Sequence, residues 1–276
     1  MANNTLIIAK KELDNLLNSR FVILVLVVYI FLIILKLYSF YDQWSSGYIW
    51  GSILQASLDN LLGTITLYSQ FVAVIIGFSA VSSETSNNAL STLIVKPLYR
   101  DTIINGKLIG AFGFIACIVG LVIMFYISGL LLLCGNYIAP VLQDFLIRAP
   151  LVLVISIIYT MVFLSLSMLI SITLKNQAFA LTMSVLTIII SDLIVNVNIS
   201  GNIMLLFGGN EEIAYVVSGL SPSGILGNIF VHSEVFNPAF SVVDAIHLTI
   251  PHLTKLIFYV GITIIAAYSI FMRRDI

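Results

Sequence analysis

The sequence predicts an all-α polytopic membrane protein: six transmembrane helices behind an amphipathic amino-terminal helix, with both termini in the cytoplasm. Three observations carry this expectation. Apolar residues make up 60% of the 276 residues and charged residues 9%, with a mean hydropathy of +1.10; a soluble domain carries about 25% charged residues. Six stretches are apolar over about the 20 residues that a helix needs to cross a hydrocarbon core of roughly 30 Å. The basic residues also sort by side, which fixes a direction.

The elements follow in chain order. Residues 5–20 place Leu6, Leu13, Leu16 and Leu17 at helical spacing, with Lys10, Lys11, Asp14 and Asn18 largely opposite. That pattern predicts an amphipathic elbow helix on the inner leaflet, the alternative being a cytoplasmic extension of the first span. No small-residue cleavage pattern follows the first apolar run, so it is expected to stay as a span rather than leave as a signal peptide. The spans are expected at 21–40, 61–81, 108–134, 151–174, 178–195 and 256–272.

With the amino terminus inside, Lys10, Lys11, Arg20, Lys96, Arg100, Lys107, Lys175, Arg273 and Arg274 face the cytoplasm. Lys36, Arg148 and Lys255 are left for the outer side and its borders. This inside excess puts segment 82–107 in the cytoplasm and segment 196–255 outside. The outer segment carries Glu211, Glu212, Glu234 and Asp244, with apolar patches at 203–207, 215–220 and 225–231. A disordered loop lacks such patches, so short helices at the outer interface are expected.

Several chemistries are excluded. Cys117 and Cys134 fall in one expected helix, about 25 Å apart along its axis, beyond the reach of a disulfide. His232, His247 and His252 lack metal-ligand spacing of the H-E-x-x-H kind. A site from His247, His252 and Asp244 is the weaker reading beside unrelated interfacial histidines. Gly106-Lys107 is followed by leucine and lacks the phosphate-cradling glycines, so no nucleotide loop is present. No basic tract interleaved with aromatics points to nucleic acid. No cofactor and no catalytic set are expected.

Charge inside the spans is confined to Lys36 and Asp192, each near an outer end and read as interfacial. An ion-coupled carrier needs ionisable groups near the midplane, so the energy for any transport is expected to come from outside the chain. Gly106, Gly110 and Gly113 on the third span, and Ser165, Ser167 and Ser171 on the fourth, are small residues that let helices approach closely.

One polar segment remains, ETSNNALSTLIVKPLYRDTIINGK at 84–107. Leu90, Leu93 and Ile94 form an apolar stripe at helical spacing, and Pro97 ends that helix because it lacks a donor and clashes with the preceding turn. Glu84, Leu90, Leu93, Ile94, Pro97, Arg100, Gly106 and Lys107 resemble, in register, the cytoplasmic loop of ABC-2 type transporter permease subunits. Asn88-Ala89 stands where that family usually has Gly-Thr. Ala9-Lys10-Lys11-Glu12-Leu13 and Asn18-Ser19-Arg20 also resemble the family's elbow helix. The resemblance implies a transmembrane subunit that works as a homodimer or with a similar chain, beneath separate ABC ATPase subunits that hydrolyse the ATP. It further implies that Glu84, Leu90, Leu93, Ile94, Pro97, Arg100 and Lys107 form the ATPase-coupling element.

The leading expectation is therefore a permease, an exporter in direction, in contact with membrane lipid, with a substrate that the spans do not name. Two other classes share parts of the pattern. A self-contained secondary carrier needs midplane charges or broken inverted helices, and neither is visible. A non-transporting membrane component of an ATPase-linked assembly, including one for copper-enzyme maturation, shares every feature. The lack of a Cys/Met/His ladder argues against metal held by this chain itself.

Overall fold

The computed structural model describes residues 2–46, 52–86, 100–174, 176–195, 211–232 and 235–273. Among them every extended element is helical: α1 (Ala2–Leu17), α2 (Arg20–Ser45), α3 (Ile53–Ser86), α4 (Arg100–Ile138), α5 (Leu142–Thr173), α6 (Gln177–Val195), α7 (Glu211–Leu220), α8 (Pro222–His232) and α9 (Val242–Arg273). A 3-10 turn, Ala139–Val141, joins α4 to α5.

Among the described residues, five stretches are long and apolar enough to cross a membrane: Arg20–Ser45, Ile53–Ser82, Ile104–Thr173, Gln177–Val195 and Val242–Phe271. The third is 70 residues long and contains both α4 and α5. Pro140 lies in the turn between them, and α4 already leaves helical geometry at Cys134 (φ −120°, ψ 19°). Both cysteines are free thiols.

The amino-terminal helix is distinct from the first span. Ser19 is extended (φ −77°, ψ 147°) and its hydroxyl donates to the Leu16 carbonyl at 2.8 Å, which closes α1 before α2 begins. On α2 a narrow stripe of Val25, Tyr29, Ile33, Leu37 and Phe40 is buried, while Ile23, Leu24, Val27, Phe31 and Ile34 are exposed. In water such a face would be untenable; against lipid tails it costs nothing.

The last helix starts well before the hydropathy boundary at 256. Its first turn is fixed by a capping box: Ser241 Oγ accepts the Asp244 N–H at 3.2 Å and donates to Asp244 Oδ2 at 2.6 Å. The S-x-x-D signal is in the sequence, but a polar cap carries no weight in a hydropathy window.

α3 and α5 pack most extensively and form the centre of the bundle. Small and hydroxylic residues make the close approach possible. A Cβ on Gly77 would lie 2.5 Å from the Leu164 carbonyl oxygen. Ser167 Oγ donates to the Val74 carbonyl at 2.8 Å, and Thr160 Oγ1 donates to Ser69 Oγ at 2.8 Å. Ser165 Oγ meets Thr263 Oγ1 at 2.7 Å and attaches α9 to the opposite side of α5. Tyr126 donates to the Ser57 carbonyl at 3.0 Å and Tyr29 to the Ile65 carbonyl at 3.4 Å, which ties α4 and α2 to α3. These buried hydroxyls each find a carbonyl or hydroxyl acceptor, as a medium without water favours; Ser156 Oγ is buried without one.

Replacing Gly77 with leucine forces α3 away from a backbone carbonyl, not a flexible side chain. We expect a loss of about 1–3 kcal/mol, read as a lower unfolding midpoint of the purified chain in detergent. The same change at Gly120, whose Cβ would meet nothing within 4 Å, should leave the midpoint unmoved.

Candidate coupling site and interior polar network

Segment 84–107 is entered from α3 and left through α4. Glu84 lies on the last turns of α3, and Arg100 is the first residue of α4. Leu90, Leu93, Ile94 and Pro97 lie outside the described residues. Lys107 is placed in full: it is buried, and its Nζ stands 3.5 Å from Glu12 Oε2 of α1. The structure thus joins Lys107 to the amino-terminal helix at the base of α4.

Around that pair the glycines of α4 form a seat for α1. A Cβ on Gly106 would lie 2.6 Å from the Ile8 side chain, and one on Gly110 would lie 2.8 Å from both the Ala9 carbonyl oxygen and Glu12 Cβ. Gly113 faces Leu13 at ordinary contact distance. The contacts advance together along both helices, so α1 and α4 run in the same direction, with Ala9 buried at the crossing. Small residues on both sides permit this backbone approach. The glycine stripe was visible in the sequence; its partner, about a hundred residues away, was not.

A second polar group lies at the far end of α6 from Lys175, where α3, α5 and α6 meet the hairpin α7–α8. Asp192 Oδ1 accepts a 2.6 Å hydrogen bond from Ser223 Oγ, and its Oδ2 accepts the Gln70 amide at 3.4 Å. Tyr159 donates to Gln70 Oε1 at 2.9 Å and lies 3.2 Å from Ser223 Oγ. Ser191 Oγ accepts the Ser223 N–H at 3.1 Å and lies 2.8 Å from its hydroxyl. Four helices are stapled at one point. Gln70, Tyr159 and Ser191 are buried, whereas Asp192 is exposed.

Local sequence explains how Ser223 reaches this point. Ser221 caps α8 by accepting the Gly224 N–H at 3.0 Å, and Pro222 occupies the first helical position, where no donor is missed. Gly224 is obligatory, since a Cβ there would overlap the Ser218 carbonyl oxygen at the end of α7. The tight turn sets Ser223 in the first turn of α8, against α6. Beside it lies a cavity of about 320 Å³ walled by Phe163, Leu166, Ile190, Ile194, Val217 and Tyr259, with Ser191 and Ser221 among its lining.

On the same side, Arg148 near the start of α5 is buried and donates to the Val235 and Phe240 carbonyls. That clamp fixes the segment leading into α9. No group of His, Cys, Asp and Glu suited to a metal occurs among the described residues.

The sequence pattern of the ABC-2 family transporter proteins matches residues 6–276. The chain belongs to the ABC-2 transporter family. No curated protein matches it. Membership makes this ABC-2 protein a multi-pass membrane permease subunit of an ABC transporter, and the family implies association with an ABC ATPase subunit. The match spans both polar sites: the α1–α4 seat and the Asp192 network.

The α1 seat of the ABC-2 chain is testable without a partner. Gly110→Leu should lift α1 from α4 at a cost of about 1–3 kcal/mol. Limited trypsin cleavage at the exposed Lys10 and Lys11 should then quicken by about tenfold, the change that ~1.4 kcal/mol of local opening produces. Gly120→Leu should cleave at the wild-type rate.

Proposed function

We propose that the chain is the gate of an ATP-driven exporter, moved by a separate ATPase that grips segment 84–107 from the cytoplasm. The observation that carries this reading is the family match across 6–276, together with Glu84, Leu90, Leu93, Ile94, Pro97, Arg100 and Lys107 in the register of the family's coupling loop. In the reading, Leu90 and Leu93 seat a short helix in an apolar groove, and Glu84 and Arg100 orient it.

The packing supports a path for force. α3 enters the segment and is interlocked with α5 at Gly77 and Ser167. α4 leaves it and carries α1 on its glycine seat, with Lys107 held by Glu12. A displacement of the segment is therefore delivered to two rigid helix pairs.

We further read six crossings. The 70-residue run Ile104–Thr173 corresponds to about 105 Å of helix against a core of roughly 30 Å, so in this reading it crosses twice and turns back at the 3-10 segment Ala139–Val141. Nine basic residues then fall inside and three outside, which puts both termini in the cytoplasm and α7–α8 at the outer face of the cell membrane. α1 is the elbow that enters the inner interface. The working unit is a homodimer or a pair with a similar chain, surrounded by lipid. ATP hydrolysis belongs to the partner.

Leu90→Asp with Leu93→Asp should release the ATPase from complexes purified in detergent while the permease stays inserted. An intact complex of the double variant would contradict the docking role of that helix.

A further inference from the structure

We propose that Asp59 is a second seat for the Arg148 guanidinium, which holds the segment leading into α9 in the present arrangement and turns to α3 when that segment lifts. Two observations carry the inference. The first is a pair of orphans of opposite charge: Asp59 Oδ1 and Arg148 Nε are both buried without a hydrogen-bond partner. Arg148 as a whole is only 3% exposed. The second is register. α3 and α5 run in the same direction, since Thr160 donates to Ser69 and Ser167 to the Val74 carbonyl. Tyr159 and Gln70 meet across this contact at 2.9 Å. Asp59 precedes Gln70, and Arg148 precedes Tyr159, by the same eleven residues, which is within about 20° of three whole turns. Each charge therefore lies on the helix face that looks toward the other. Pro150 intervenes on α5, but Phe145, Ala149 and Val152 stay buried on both sides of it, as do Leu54, Leu58 and Leu62 on α3. Hydropathy left both charges outside the expected spans at 61–81 and 151–174; α3 and α5 begin earlier, at Ile53 and Leu142, and carry them in.

The chemistry sets a choice between two seats. In the present arrangement Arg148 commits its two terminal nitrogens to the Val235 and Phe240 carbonyls, and Asp59 Oδ1 is left bare. Buried charge is costly until it is paired and hydrogen-bonded, and a bidentate guanidinium–carboxylate pair is among the stronger such contacts. Turning to Asp59 gives both charges a partner and frees the two carbonyls. Carbonyls of a segment that has lifted into water exchange the arginine for water at little net cost. Packed helices stand about 8–10 Å apart, a gap that the long arginine stem crosses without a shift of either backbone. The result is two discrete arrangements and not a continuum. Asp144, one turn before Arg148, is exposed and travels on the same helix, so it does not distinguish them.

The test uses the purified full-length chain in nanodiscs, with Cys117 and Cys134 replaced by serine and spin labels at the exposed positions Val231 of α8 and Leu67 of α3. Double electron–electron resonance reads the distance distribution between the hairpin and the bundle. The wild type should show a longer-distance population, in which the segment has lifted. Asp59→Asn, which removes the charge of the second seat, should reduce that population by about tenfold. Asp59→Glu should retain most of it, and Asp144→Asn should match the wild type. In an Arg148→Gln background, Asp59→Asn should add no further change, because it acts through the arginine. Four results overturn the proposal: identical distributions in the wild type and Asp59→Asn, the same change in Asp59→Asn and Asp59→Glu, an equal loss in Asp144→Asn, or an undiminished effect of Asp59→Asn in the Arg148→Gln background. The first three leave Arg148 in place and decide the matter even where its replacement prevents folding. No ATPase is needed, so the outcome is independent of the docking reading.

Discussion

Lipid offers no hydrogen-bond partner, and the polar groups that these spans carry must therefore be satisfied within the chain. That constraint shapes the whole bundle. Tyr29, Tyr126, Ser165, Ser167 and Thr160 each bond to a neighbouring helix, so the helices are registered by directional contacts and not only by apolar packing. The most connected point is the Asp192 network, where α3, α5, α6 and α8 converge. Breaking it exposes several polar groups at once, which favours two discrete arrangements over a continuum.

The end of the bundle that carries α1 is built by a different device. α4 holds α1 by backbone proximity at Gly106 and Gly110, reinforced by the Lys107–Glu12 pair. The joint is close-packed: the Ile8 side chain fills the space at Gly106, and the Ala9 carbonyl oxygen and Glu12 Cβ fill it at Gly110. The two ends of the molecule thus differ in kind: a steric joint at the end where the motor is proposed to act, and a hydrogen-bonded staple at the α7–α8 hairpin. A gate needs this asymmetry, since force must be transmitted without loss at one end and released at the other.

Membrane class, the helical fold and the family were legible in the sequence, because hydropathy and the polar motif at 84–107 are local signals. The stripe Gly106, Gly110 and Gly113 and the serines of the fourth span were legible as packing surfaces, but not their partners. Asp192 read as interfacial from its place near the end of a span; its network partners Gln70, Tyr159 and Ser223 are distant in sequence and were not legible. The start of α9 was missed since Ser241 and Asp244 lower the local hydropathy while they nucleate the helix. The apolar stripe Leu90, Leu93 and Ile94 lies outside the described residues, so the proposed coupling element rests on its sequence motif.

The most direct test measures motion at the staple as a function of the motor. Spin labels on the exposed positions Val231 of α8 and Leu67 of α3, with Cys117 and Cys134 replaced, report the separation of the hairpin from the bundle in the assembled complex. The account predicts that trapping ATP on the ATPase changes this distance, while an ion gradient across vesicles of the chain alone does not. A distance indifferent to ATP, or one that follows the ion gradient without the ATPase, would contradict it.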